Sequence, residues 1–139
     1  MGRIMAIDFG KRHIGLAVSD ETKTIANGLD TIHYVNRKEM MQKLRNIIKE
    51  KEVDKIVLGY PFSMSGKSSS IGLEVLSFRQ LLETEFQLPI ELLDERFTTE
   101  MSKDILREMG KKPIHRKSLI DKISAVIILE DYLQFIKKQ

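Results

Sequence analysis

Apolar positions along the chain follow two periods, and the change from one to the other outlines the architecture. The opening stretch IMAIDFGKRHIGLAVSD holds two apolar runs joined at Gly10, Lys11 and Arg12. Short apolar runs bounded by turn residues favour extended structure, so Arg3 to Phe9 and His13 to Ser19 read as strands. Thr24 to Ile32 reads as a third, with Gly28 as a weak point or bulge. Three consecutive strands with short joins predict an antiparallel meander.

Beyond residue 36 the period lengthens. Met40, Leu44, Ile47 and Ile48 recur at helical spacing, which predicts an amphipathic helix over Arg37 to Lys51. KIVLGYP, Lys55 to Pro61, is a short buried strand stopped by Gly59 and Pro61. A Ser-rich loop leads into a helix over Ile71 to Phe86, and PIELLDE, Pro89 to Glu95, is the last strand. Thr98 to Met109 and Ser118 to Ile136 read as the final helices. Strand and helix alternate in this half, so right-handed crossovers and parallel strands are expected. The fold class is therefore α/β. A mixed five-stranded sheet, three antiparallel strands then two parallel, is flanked by helices in a single domain over residues 1–139.

Composition narrows the setting. A chain of 139 residues buries roughly 70% of its unfolded surface, enough for a core without staples. Cysteine is absent, which excludes disulfides and thiolate metal sites. Arg3 and Asp8 break any leader-like apolar stretch, and the longest apolar run, Ala125 to Leu129, is too short to span a bilayer. A soluble, cytoplasmic protein is expected. The net charge of +3, from 23 basic and 20 acidic residues, names no partner. Its distribution says more. KKPIHRK places Lys111, Lys112, Arg116 and Lys117 together with no acid, and reads as a loop that meets nucleic-acid phosphates or as a merely solvated one. His115 belongs to that loop, and His13 and His33 lie far away in the strand half.

The candidate chemistry is carboxylate. Asp8 sits at the carboxyl end of the first strand, where an ionised group inside an apolar run is costly without a partner. Asp94 and Glu95 end the last strand, although a solvated strand end beside Arg96 explains them equally well. The carboxyl ends of parallel strands gather on one rim, where sites form. Asp121 is the third position. It fits a capping box with Ser118 as N-cap. It also opens a helical stripe of Asp121, Ser124, Ala125, Ile128 and Tyr132, whose small members allow close approach to a sheet. Carboxylates converging from separate elements repel, and Mg2+ or Mn2+ relieves that repulsion through oxygen ligands. Two such ions suit phosphodiester hydrolysis. Lys11 and Arg12, just past Asp8, could steady a substrate phosphate, although a solvated turn is the expected role of at least one of them.

Four motifs in order, AIDFGKRHIGLAVSD, VLGYPFSMSG, LLDERFTTEMS and IDKISAVIILEDYL, resemble the YqgF/RuvX family of the RNase H-like superfamily across essentially the whole chain. That family is described as Holliday junction resolvases and as pre-16S rRNA nucleases. The resemblance implies a metal-dependent nuclease. Asp8, Glu95 (or Asp94) and Asp121 would be its metal-binding and catalytic acids. The more distant RuvC resolvases carry an acid at the end of the fourth strand. Here that strand ends in Gly59-Tyr60-Pro61, so the fifth strand must supply the acid. The implied partner is precursor rRNA or branched DNA, with the protein a monomer or homodimer.

Rival readings are fewer. DFGKRHIG also looks like the first phosphate loop of the actin/hexokinase/Hsp70 ATPases, but those need two lobes and this length holds one. Gly66-Lys67-Ser68 imitates the end of a P-loop, yet position 61, where its first Gly belongs, is Pro. A non-catalytic nucleic-acid-binding or scaffold module on the same fold is the alternative, since fold does not fix function.

Overall fold

The computed structural model describes residues 2–10, 12–60, 70–94 and 113–138, with backbone only at 70, 71 and 113–118. Its elements are β1 (Arg3–Phe9), β2 (His13–Ser19), β3 (Ala26–His33), α1 (Arg37–Glu50), β4 (Val53–Tyr60), α2 (Ser70–Phe86), β5 (Ile90–Asp94) and α3 (Pro113–Lys137). The sheet order is β3-β2-β1-β4-β5. β1 runs antiparallel to β2, and β2 to β3, whereas β1–β4 and β4–β5 are parallel. The expected meander followed by parallel strands is thus the arrangement found.

Strand alternation divides the sheet between two cores. Met5 and Ile7 of β1 pack with Ile14, Leu16, Leu44, Ile56 and Leu82, under α1 and α2. Ile4 and Ala6 face the other way, with Ala17, Val57, Ala125, Ile128 and Leu129 under α3. Burying each such Leu or Ile side chain contributes about 1.5–3 kcal/mol, so both faces of β1 are committed. At the far end of α3 the Lys55 ammonium donates to the Tyr132 hydroxyl at 2.6 Å. That bond holds Lys55 above its ordinary pKa, and burial pushes Tyr132 up. Among the described residues, no helix is long and apolar enough to cross a membrane.

Several features differ from the sequence pattern, among them the start of β4, at Val53 rather than Lys55. β3 begins at Ala26 rather than Thr24, because the Asp20 carboxylate accepts the Thr24 and Ile25 amides at 2.9 and 3.0 Å and holds them in the turn. The bulge in β3 is not at Gly28. The register steps from Ile14↔Ile32 to Leu16↔Leu29, so Asp30 and Thr31 together stand against Gly15. α3 begins at Pro113, five residues before Ser118. Proline suits a first helical turn, where its missing amide costs nothing. Ser118 is therefore inside the helix and the capping box is not formed. Pro113 to Lys117 are likewise helical rather than part of a loop, and Lys111 and Lys112 lie outside the described residues. The Ser-rich segment 61–69 and the expected helix Thr98 to Met109 lie outside the described residues.

Candidate active site

Asp8 is the penultimate residue of β1 and is half-buried. By alternation it shares a side with Ile4 and Ala6, the α3 side. Its cross-strand neighbour on β2 is Gly15. A β-carbon at Gly15 would lie 2.0 Å from the Asp121 carbonyl oxygen and 2.4 Å from its carbon. Only glycine fits there, so the backbone of α3 rests directly on β2 at the position paired with Asp8. Ala17, also on this side, pairs with Gly28, where a β-carbon would crowd the Lys122 and Val126 side chains. Ser124 and Ala125 supply the small residues on the helix, and both are buried. Small residues on both surfaces bring Asp121 to the rim beside Asp8.

A histidine approaches Asp121 from β2. His13, two residues before Gly15 on the same side of β2, places Nε2 3.2 Å from Asp121 Oδ2. The two side chains are only 17% and 20% exposed. The exposed His33, paired with His13 in the β2–β3 register, leans its ring on the His13 ring at 5.7 Å between centroids.

The other expected site residues fall into four groups. Asp94 ends β5 and is exposed. It pairs with Tyr60 and keeps the parity of Ile90 and Leu92, which pack in the α1–α2 core, so it belongs to the side of the sheet away from Asp8. Arg12 is exposed in the β1–β2 turn, where its carbonyl accepts the Tyr34 amide at 3.0 Å. Arg116 and Lys117 belong to the first turns of α3. Lys11, Glu95, Lys111 and Lys112 lie outside the described residues. Among the described residues, no three His, Asp or Glu side chains form a group able to hold a metal ion. The Asp121 backbone thus lies over the β2 residue paired with Asp8, and strand alternation assigns Asp94 to the other side of the sheet. A cavity of about 440 Å3 lined in part by Phe9, Tyr34, Arg37, Glu74 and Phe78 opens on the opposite face of the sheet and includes neither acid.

The family profile described as "RuvX: Holliday junction resolvase" matches residues 2–135. The chain belongs to the RuvX family. Relatives named "Putative pre-16S rRNA nuclease" agree over nearly the full length. The protein from Koribacter versatilis is 41% identical over 133 residues, covering 96% of this chain and 87% of the relative. That from Clostridioides difficile is 42% identical over 134 residues, covering 96% and 95%. Among solved structures, T. thermophilus RuvC in complex with a Holliday junction substrate superposes with a TM-score of 0.59 at 12% identity, covering 98% of this chain and 96% of that one. The fowlpox virus resolvase, also in complex with Holliday junction DNA, gives 0.57 at 12%, covering 96% and 98%. At that identity the likeness establishes the fold, a RuvC-like member of the RNase H-like class.

Within this RuvX chain, the approach of His13 to Asp121 is what residue patterns leave out. The signal that could have found it is parity. His13, Gly15 and Ala17 alternate on the same side of β2 as Asp8 and Ala6 do on β1, once the hairpin register is known.

Proposed function

We propose that this chain is a metal-dependent endonuclease hydrolysing phosphodiester bonds in structured nucleic acid, in 5′-end processing of precursor 16S rRNA, in resolution of four-way junctions, or in both. The observation that supports the reading is the seating of the Asp121 backbone over Gly15, the residue paired with Asp8. The names of its relatives supply the rRNA substrate, and the complexes of its structural neighbours supply the branched one. The cytoplasm is the proposed location.

The donor set suits a hard divalent cation, because both converging groups offer carboxylate oxygen. Asp8, Asp121 and a third acid from the end of β5 would hold two Mg2+ or Mn2+ ions. Glu95 is the proposed third acid, since the parity of Asp94 assigns it to the other side of the sheet. Ions held there supply nucleophile activation and offset charge on the leaving oxygen. The protein's own groups do the positioning. Asp8 lies on the central strand with pairing partners on both sides, so its backbone is fixed. Arg12, exposed on the neighbouring turn, gives a phosphate a bidentate partner, and Lys11 adds a second cation. Lys111, Lys112, Arg116 and Lys117, at and before the start of α3, would hold the flanking backbone by charge.

The test is cleavage of four matched substrates by purified protein with Mg2+ or Mn2+: a four-way DNA junction, precursor 16S rRNA, and plain single and double strands. Metal-dependent cutting of the junction or the precursor, above the plain controls, is expected. No cutting of any substrate with either metal would support a binding module instead.

A further inference from the structure

We infer that Tyr34 is a positioning residue for the nucleic-acid contact of Arg12, clamping the β1–β2 turn that carries this cation just past Asp8; this rests on the phosphate-binding reading of Arg12 above. Geometry carries it. The β2–β3 ladder closes at His13↔His33. Tyr34 continues one residue beyond, and its amide donates to the Arg12 carbonyl at 3.0 Å. Its hydroxyl donates to the Gly10 carbonyl at 2.7 Å. One residue of the next strand's end thus holds the turn at Gly10 and again at Arg12, while the Arg12 side chain stays exposed.

The clamp is itself anchored. Tyr34 is half-buried and packs against the core beneath α1 and α2. Its ring shares a cavity wall with Phe9, Arg37 and Phe78, and Phe9, the residue before Gly10, stacks on Phe78 at 4.6 Å between centroids. Burial, and after it the Glu74 charge, push the Tyr34 hydroxyl above its ordinary pKa, so the proton it donates stays in place at neutral pH. That proton is committed to Gly10, so Tyr34 acts through the turn rather than on a substrate. A turn that is loose in the free protein must be ordered when its cation meets a phosphate, and that ordering lowers affinity. A turn held beforehand avoids the loss.

The test is a double-mutant cycle on the full chain, read as binding rather than cleavage. Affinity for a four-way DNA junction and for precursor 16S rRNA is titrated without divalent metal at several salt concentrations. Arg12→Ala should weaken binding and flatten its salt dependence by about 0.7–0.9, as loss of one phosphate contact requires. Tyr34→Phe keeps the ring and removes the donor, and should weaken binding about 2–10-fold. In the Arg12→Ala background the same change should have no effect, because residues that act as a unit are not additive. Tyr132→Phe, which loses its bond from Lys55 at the far end of α3, is the control and should bind like wild type. Tyr34→Leu is a second deletion should the Phe variant not fold. Wild-type affinity in the Tyr34 variant overturns the inference while leaving the phosphate contact standing, provided Arg12→Ala flattens the slope. An undiminished effect of the Tyr34 change in the Arg12→Ala background overturns it too, as does an equal loss in Tyr132→Phe. An unchanged slope in Arg12→Ala, or no binding of either nucleic acid by wild type, overturns both this inference and the reading it rests on.

Discussion

Gly15→Ala should damage cleavage far more than its size suggests. The added carbon would sit 2.0 Å from the Asp121 carbonyl oxygen, whereas ordinary van der Waals contact begins at 3.4 Å. The obstacle is backbone on both sides, so α3 must lift by about 1.4 Å at Asp121 or β2 must sink by the same amount. Overpacking of this kind costs about 1–3 kcal/mol. At this size that lowers the melting temperature by roughly 3–4 °C per kcal/mol. The catalytic loss should be larger, because a displacement of about 1 Å in a reacting group can cost 100-fold in rate. Gly28→Ala is the matched control. Its β-carbon would meet Lys122 Cε at 2.8 Å, Lys122 Cγ at 3.0 Å and Val126 Cγ2 at 3.2 Å, all side-chain atoms, with the tightest contact near the end of the flexible lysine rather than on backbone. Thermal melts and single-turnover cleavage at saturating Mn2+ on the three proteins separate the effects. Wild-type melting and wild-type cleavage in Gly15→Ala would refute the seating of α3 on Gly15. A cleavage loss in Gly28→Ala as deep as in Gly15→Ala would refute the claim that Asp121 alone transmits it.

Neutralising Lys111, Lys112, Arg116 and Lys117 should weaken nucleic-acid binding across sequences. Its salt dependence should flatten by about 0.7–0.9 for each phosphate no longer neutralised, measured by titration at several salt concentrations; an unchanged slope would leave these residues merely solvated. Asp20, held down to a pKa of about 2 chiefly by the Ile25 amide, contributes stability that is complete above its ordinary value of 3.8 and disappears as pH falls through about 2. The difference in melting temperature between wild type and Asp20→Ala should therefore be constant above about pH 4 and shrink below it; a difference undiminished at pH 2 contradicts the assignment. Tyr132→Phe removes the 2.6 Å bond from Lys55 and should cost about 0.5–1.5 kcal/mol in urea unfolding without altering cleavage.

Much of the frame is legible in residue patterns because the burial is two-sided and uniform. β1 and β2 start and stop where their apolar runs do, at Phe9, His13 and Ser19, since Gly10 and Arg12 mark the turn between them. Asp8 stands out because a carboxylate follows directly on the buried run Ile4 to Ile7. What is harder to read lies in tertiary contact. Ser118 and Asp121 imitate a cap so well that the earlier start at Pro113 is visible only once the helix is seen to run through them. The bulge opposite Gly15 has no marker in β3, because Asp30 and Thr31 are ordinary strand and turn residues and only the pairing register reveals the extra position. The association of His13 with Asp121 depends on which side of β2 faces α3, and no local feature around His13 specifies that.

Whether Asp8 and Asp121 form one metal-dependent cleavage site is tested most directly by separating binding from cutting in Asp8→Asn. The substitution keeps shape and removes a negative charge near the proposed phosphate position. Like charges a few ångströms apart repel by about 1–4 kcal/mol at effective dielectric constants between water and a protein surface, so binding should hold or tighten. Affinity for a four-way junction and for precursor rRNA, and cleavage of both with Mn2+, are measured on one preparation of each protein. Retained or stronger binding with cleavage lost is the result expected of Asp8→Asn; wild-type cleavage by that variant would contradict a shared site.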